Sequence, residues 1–349
     1  RAIGTLLREG GIMGFISSNT WLKTGSGKAL REYLQEKAAV REFLDFGDLQ
    51  VFRGVTTYPA IIIVEKREPA SDHKILAAEA ESLEDTDLSG RLKSVGILVP
   101  QKELDPAAWR FEDRRIARLR EKILSAGIPL KEYCGGQIFR GVVTGLNEAF
   151  VVDRETRDRL IAEDPKSEEI LKPFLEGKDL KPWRAEPRDL WLIYTWHGIE
   201  IDRYPAILEY LRPFRKRLEA RATSHAHAWY ELQQPQRAYV PAFEGIKIAW
   251  PNLQIFPRFL LDSCGYYLNA PCACIPTDDW FILGILQSKV GWYALNSVAV
   301  SRMQGFIEAK PMYVEKVPIP TPSAEVRARI VEITKRLSSE DFSTEDPDH

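Results

Sequence analysis

The stretch from Gly10 to Lys66 constrains the fold more than any other. A short apolar run, Gly14-Phe15-Ile16, ends in the polar cluster Ser17-Ser18-Asn19. The spacing from about Lys28 to Lys37 predicts a helix, and Val40 to Phe46 reads as a strand. Val51-Phe52-Arg53-Gly54 then turns into the apolar run Tyr58 to Lys66, a further strand. Strand, helix, strand, turn and strand in this order predict the end of an α/β sheet. Arg1 already falls within a helical pattern (Ala2, Ile3, Leu6, Leu7) with no cap before it, so the sequence reads as a segment of a longer protein.

With 349 residues the chain has room for about two domains of roughly 100–200 residues each. Nine Trp and fifteen Phe suffice for real cores. No run approaches the roughly 18 apolar residues of a membrane span, and no secretory signal is visible. Four scattered cysteines make no disulfide framework and predict a reducing, cytoplasmic setting. A formal net charge of −2 excludes a generally basic coat, so any nucleic-acid contact must come from a local patch.

Further along, Ser71 to about Asp105 is polar and acidic (Glu79, Glu81, Glu84, Asp85, Asp87) and reads as a solvated connector with a short strand near Val95 to Val99. Arg110 to Ala126 predicts a charged linker helix, ended at Pro129. A second body opens with the Gly-rich Cys134 to Gly145, where tight turns between strands are expected. It continues with a strand at Ala149 to Asp153 and helices over Glu155–Glu163 and Ser167–Phe174. A strand at Trp191–Tyr194 precedes a long helix from Tyr204 to Ala222, kinked at Pro213. Strands at Lys247–Pro251 and Arg258–Asp262 lead to a helix from Trp280 to Leu295. Glu315 to Pro320 closes this body. A final exposed helix is expected over Glu325–Leu337, and an acidic, disordered tail over Ser338–His349.

Four phrases in this order resemble the C-terminal part of TaqI-type adenine-specific DNA methyltransferases and of the fused type IIG restriction–modification enzymes. They are Gly11-Ile12-Met13-Gly14-Phe15-Ile16-Ser17-Ser18-Asn19-Thr20-Trp21-Leu22, then Val51 to Ile61, then Ile138 to Val151, and lastly Leu283 to Lys289 with Val317-Pro318-Ile319-Pro320. The resemblance covers Leu6 to Pro322. It implies α/β followed by α+β: the truncated end of a Rossmann-like methyltransferase sheet, then a mixed target recognition domain. The implied organisation is a methyltransferase portion at 1–105, a linker helix at 106–128, a recognition domain at 129–322, and a terminal helix and tail at 323–349. It further implies double-stranded DNA as partner, S-adenosylmethionine as cofactor of the full-length enzyme, and room for an upstream nuclease domain. Neither the Gly-containing cofactor loop nor the Asn/Asp-Pro-Pro-Tyr/Phe motif of that family occurs in these residues. The resemblance places both before Arg1, so this fragment alone is expected to transfer no methyl group.

Candidate site residues follow from side-chain chemistry and from the resemblance. Chemistry on a duplex base requires flipping it out, commonly onto an aromatic ring. By resemblance Phe52 matches the aromatic that packs on the target adenine; the other reading is a core Phe at a strand end. Asn19 and Trp21 follow a strand expected to be parallel, where α/β sheets place ligands, and are candidates for the pocket rim. Ser17 and Ser18 read as helix caps. Arg212, Arg215, Lys216 and Arg217 form the densest basic run, either a phosphate-facing ridge or a solvated helix face. Arg140, Thr144 and Asn147 lie in the Gly-rich opening; Arg and Asn suit bidentate reading of base edges, although turn chemistry would also explain them. Gln234 and Arg237 mark a second polar loop, and Arg302 a third. His225/His227 and Cys272/Cys274 have poor spacing for zinc, so no metal is expected. The leading reading is a site-specific DNA methyltransferase of restriction–modification or phage defence. The alternatives are a specificity subunit without methyl transfer and an unrelated cytosolic α/β transferase.

Overall fold

The computed structural model describes residues 2–55, 57–84, 87–302 and 305–339. Two compact units are present: residues 1–122 with 302–305, and residues 123–301 with 306–349. The acidic tail beyond Ser339, Asp85 of the acidic stretch, and Met303 and Gln304 next to Arg302 lie outside the described residues.

The first unit is a mixed sheet. Strands β1 (Ile12–Ser18), β2 (Ala39–Asp45), β3 (Pro59–Glu65), β4 (Lys74–Glu79) and β5 (Ile97–Pro100) lie in the order β1-β3-β2-β4-β5. β3 is antiparallel to both β1 and β2, whereas β2 and β4 are parallel. β1, β2 and β4 therefore end at one edge of the sheet, although β1 has no parallel neighbour of the kind expected. The alternation in β2 and β3 buries Val40, Phe43, Ile62 and Val64 beside Trp109. The acidic connector is corrected: its Lys74–Glu79 segment is a sheet strand, burying Ile75 and Ala77. β1 is an edge strand, and its Ile12, Phe15 and Ile16 are exposed.

Helix α1 (Lys28–Lys37) joins β1 to β2. Two buried polar side chains fix it. Gln101 donates to Leu34 O and Ala38 O at 2.8 Å each and accepts from Val40 N at 2.8 Å, closing the helix end onto β2. Arg31, wholly buried, donates to Pro106 O (2.8 Å), Ala107 O (2.8 Å), Thr24 O (3.0 Å) and Trp21 O.

The second unit has two four-stranded sheets. One orders 267–268, 171–175, 190–193 and 151–152; the other orders 260–262, 247–251, 272–275 and 139–140. Ile128–Pro129 pairs with Pro318–Ile319, tying the start of the unit to its close. Several expected helices are revised. Ser167–Phe174 is a 3₁₀ turn at Pro165–Ile170 followed by the strand Leu171–Leu175. The long helix at 204–222 is broken into Pro205–Leu211, a 3₁₀ turn at Arg212–Phe214 and Arg215–Glu219, because Pro213 has no N–H to continue the ladder. Trp280–Leu295 is two helices, Trp280–Gln287 and Lys289–Val298, the second capped by Ser288 Oγ on Gly291 N at 2.9 Å.

The final helix, Ala324–Ser339, keeps most of its residues exposed, as expected, and packs one side on Trp280–Gln287, where Thr334 is buried. A Cβ at Gly284 would lie 2.3 Å from Thr334 Oγ1, so glycine permits the approach. Arg327 adds bonds to Asp279 (2.7 Å) and the Tyr133 hydroxyl (2.8 Å).

Arg31→Met would take a donor from four partly buried backbone carbonyls, of which Thr24 O keeps Gly27 N at 3.1 Å, at about 1–3 kcal/mol for each one left unsatisfied. The expected outcome in urea denaturation is a loss of several kcal/mol, only partly recovered by Arg31→Lys. A loss below about 1 kcal/mol would mean that water replaces the guanidinium.

Candidate functional site

At the carboxyl edge shared by β1, β2 and β4, Asn19 is the organising residue. Its Nδ2 donates to both oxygens of Asp45, at 2.8 and 3.0 Å. Its backbone N–H donates to Tyr58 O at 2.6 Å. Asp45 and Tyr58 are the two feet of the loop that carries Phe52, so one asparagine holds both. Ser18 caps the 3₁₀ turn Asn19–Leu22, as its residue type predicts. Within the loop, Gln50 Nε2 donates to Phe52 O (2.8 Å) and Val55 O (3.0 Å), bracing a tight turn. Phe52 is 44 % exposed there, so the core reading of this side chain is corrected. Trp21 is half-buried and packs at the margin of the core, with edge contacts to Phe43 and Trp109 at 6.2 and 5.8 Å.

The edge is electrostatically tuned. Burial pushes the Asp45 carboxyl above its ordinary range, opposed by Gly47 N–H, the Asn19 amide and the Lys23 ammonium. Burial likewise raises Glu79, helped by Asp45 and Asp48. Burial lowers Lys23, with Arg110 adding to the effect. A Cβ at Gly47 (φ +55°) would lie 3.1 Å from Glu79 Oε1, which shows how closely this turn and the end of β4 approach. Both carboxyls have folded pKa values above their unfolded values of about 4. Their neutral forms therefore favour the fold. That stabilisation is complete below the unfolded values and is lost as pH rises through the folded ones.

In the second unit, three segments meet. Arg140 donates to Gln234 Oε1, and Val143 and Gln234 exchange backbone hydrogen bonds at 3.0 and 2.9 Å. Asn147 is exposed and donates to Glu176 Oε1 at 3.3 Å. Thr144 is buried and donates to Asn147 Oδ1 at 2.6 Å, so it supports the loop instead of reading anything itself. Arg237 lies 4.9 Å over the Trp196 ring. The basic run is largely paired with acids: Arg212 with Glu209, Arg215 with Glu219 and Arg217 with Glu148. Arg215 also sits 5.4 Å over Trp229. Lys216 is exposed, whereas Arg221 is buried and donates to Leu218 O, Thr144 O and Trp229 O at 2.9–3.0 Å. Arg302 is exposed in the other unit. Cys272 and Cys274 are buried in a strand, where burial pushes the Cys274 thiol up to about 12, and His225 is exposed. His227 instead meets His197 and Glu231, a grouping that the sequence spacing did not announce.

Residues 1–52 match the Eco57I restriction-modification methylase family. Similar curated proteins include the type II methyltransferase M.BanIII of Aneurinibacillus aneurinilyticus, 24 % identical over 386 residues that cover 95 % of this chain and 64 % of that protein. M.PaeR7I of Pseudomonas aeruginosa is 24 % identical over 90 % of this chain and 56 % of its own length. The type II restriction enzyme and methyltransferase RM.Eco57I of Escherichia coli is 34 % identical over 61 residues, 18 % of this chain and 6 % of that protein. The chain thus spans less than two thirds of the curated relatives it matches along most of its length. The fold resembles that of the type IIL restriction-modification enzyme MmeI in complex with DNA, with a TM-score of 0.56, 14 % identity, and coverage of 93 % of this chain and 41 % of that one. No helix among the described residues is long and apolar enough to cross a membrane.

Asn19→Ala removes one of the interactions that hold the Asp45 pKa down, so carboxyl NMR titration should show that pKa rising further. A fall would mean that the amide does not act on this carboxylate. Type II methyltransferases of restriction–modification systems are homologues of this chain, and its first 52 residues match the Eco57I methylase family.

Proposed function

We propose that the chain forms the later part of an adenine-specific DNA methyltransferase, the first unit completing a base pocket and the second choosing the sequence. The observation that carries this reading is the Phe52 loop: an exposed aromatic on a braced turn, both feet held by Asn19 at the carboxyl edge of the sheet. An extruded adenine stacked on that ring would gain about 1–3 kcal/mol. The exposed apolar edge of β1 supports a sheet that continues through a further strand, as a Rossmann-like methyltransferase sheet would.

S-adenosylmethionine would supply the methyl group in the complete enzyme, but the residues of this chain do not fit it. The glycine-containing turn that follows β1, Gly25–Gly27, is closed by its own neighbours: a Cβ at Gly27 would lie 2.1 Å from Trp21 O and 2.7 Å from Arg31 Nη1. Asn19 and Asp45 are committed to each other. No methyl-transfer step is therefore assigned to these residues.

Duplex DNA would lie against Arg140, Asn147, Gln234 and Arg237, with the 3₁₀ turn carrying Arg212 and the short helix carrying Arg215, Lys216 and Arg217 on the phosphates. The acid pairing of that helix does not oppose this role. Exposed ion pairs are worth only about 0–1 kcal/mol, so a phosphate can replace the carboxylate partner.

Binding of a duplex to this chain should weaken steeply with salt. Arg215→Ala with Arg217→Ala should reduce the slope of log K against log[salt] by about 2, at roughly 0.9 per phosphate. An unchanged slope would take the helix out of the interface. In the complete enzyme, Phe52→Ala should reduce turnover far more than DNA affinity. Equal losses in both would leave Phe52 a merely structural role.

A further inference from the structure

We infer that His197, His227 and Glu231 form a binding site for a divalent transition metal, zinc by ligand type, that locks together the loops around 196–198 and 223–232. One ligand atom from each residue lies within 4.8 Å of the others, and the two imidazole rings stack at 5.2 Å between centroids and 9° between planes. Two neutral imidazoles and a carboxylate are a donor set suited to zinc.

The surroundings point the same way. A metal-binding histidine usually donates its second ring nitrogen to a carbonyl or carboxylate, which fixes the tautomer and aims the lone pair. Both histidines have such a partner. His197 Nε2 lies 2.9 Å from Leu232 O, which leaves Nδ1 as the ligand atom. His227 Nδ1 lies 3.0 Å from Ala228 O, which leaves Nε2. The Thr223 hydroxyl, 3.2 Å from His227 Nε2, is a partner of that nitrogen that a metal would displace.

Glu231 is the third observation. It is 5 % exposed, and its contacts are to backbone N–H groups: Gly198 N to Oε1 at 2.6 Å and Ala228 N to Oε2 at 2.9 Å. Each carboxylate oxygen keeps a further lone pair. The buried anion is thus aimed at a place where two imidazoles converge; the Arg221 guanidinium interacts with it electrostatically, and a dication would add a directly coordinated charge.

The consequence is local rigidity. Leu232 N donates to Thr195 O at 2.9 Å and Gln233 N to Thr144 O at 3.3 Å, so the clasp sits at the root of the loop that presents Gln234 and Arg237. The sequence separates His197 from His227 and Glu231 by some thirty residues, and the His-Ala-His pattern drew attention to the wrong partner, His225.

The chelator-treated 349-residue chain should take up one equivalent of Co²⁺ with visible d–d absorption, and Zn²⁺ should displace it and raise the melting temperature. His197→Ala and His227→Ala should each weaken uptake by more than the roughly 10–100-fold cost of losing a merely supporting group. The exposed His225→Ala should change nothing, which controls for surface histidines. Failure of the unaltered chain to bind Co²⁺, or equal binding by a His197→Ala, His227→Ala double variant that remains folded by circular dichroism, would overturn the site.

Discussion

The buried guanidinium of Arg31 is the interaction on which the first unit depends. Helix α1 packs on the sheet through one apolar face, but the segments before it and far after it have no regular partner of their own. Arg31 satisfies carbonyls from both, at Trp21, Thr24, Pro106 and Ala107. A rigid planar fork with five donors can do this from one point, whereas a lysine could not match the geometry. Because Trp21 is held, the turn that begins at Asn19 is held, and through Asn19 both feet of the Phe52 loop. A side chain in the core thus determines where an exposed aromatic stands.

What the sequence revealed depended on how local the determining contacts were. β1, α1, β2 and β3 carry their own apolar spacing and were legible. β4 was not, because Lys74–Glu79 is short, follows a polar turn, and becomes a strand through parallel pairing with β2, some thirty residues earlier. The break at Ser288 was signalled by a capping residue but hidden within a continuous apolar stretch. The packing side of the helix at the end of the described chain was not legible because it depends on a glycine forty residues before it, where the absence of a side chain makes the contact.

The candidate site divides in the same way. The exposure of Phe52 and the cap at Ser18 follow from neighbours in sequence. The Arg140–Gln234 contact joins residues 94 positions apart, and nothing local announces it. Thr144 has suitable chemistry but is turned inward, which only packing decides. The basic run shows the opposite failure: its composition was plain, while its pairing with Glu148, Glu209 and Glu219 was not.

The bare flank of β1 has a practical corollary. It presents a ladder of open N–H and C=O groups beside exposed Ile12, Phe15 and Ile16, with neither proline nor an inward charge to discourage a visitor. Two copies of this polypeptide offer each other the same flank. Association that grows with concentration in a purified sample is then a property of that uncovered margin.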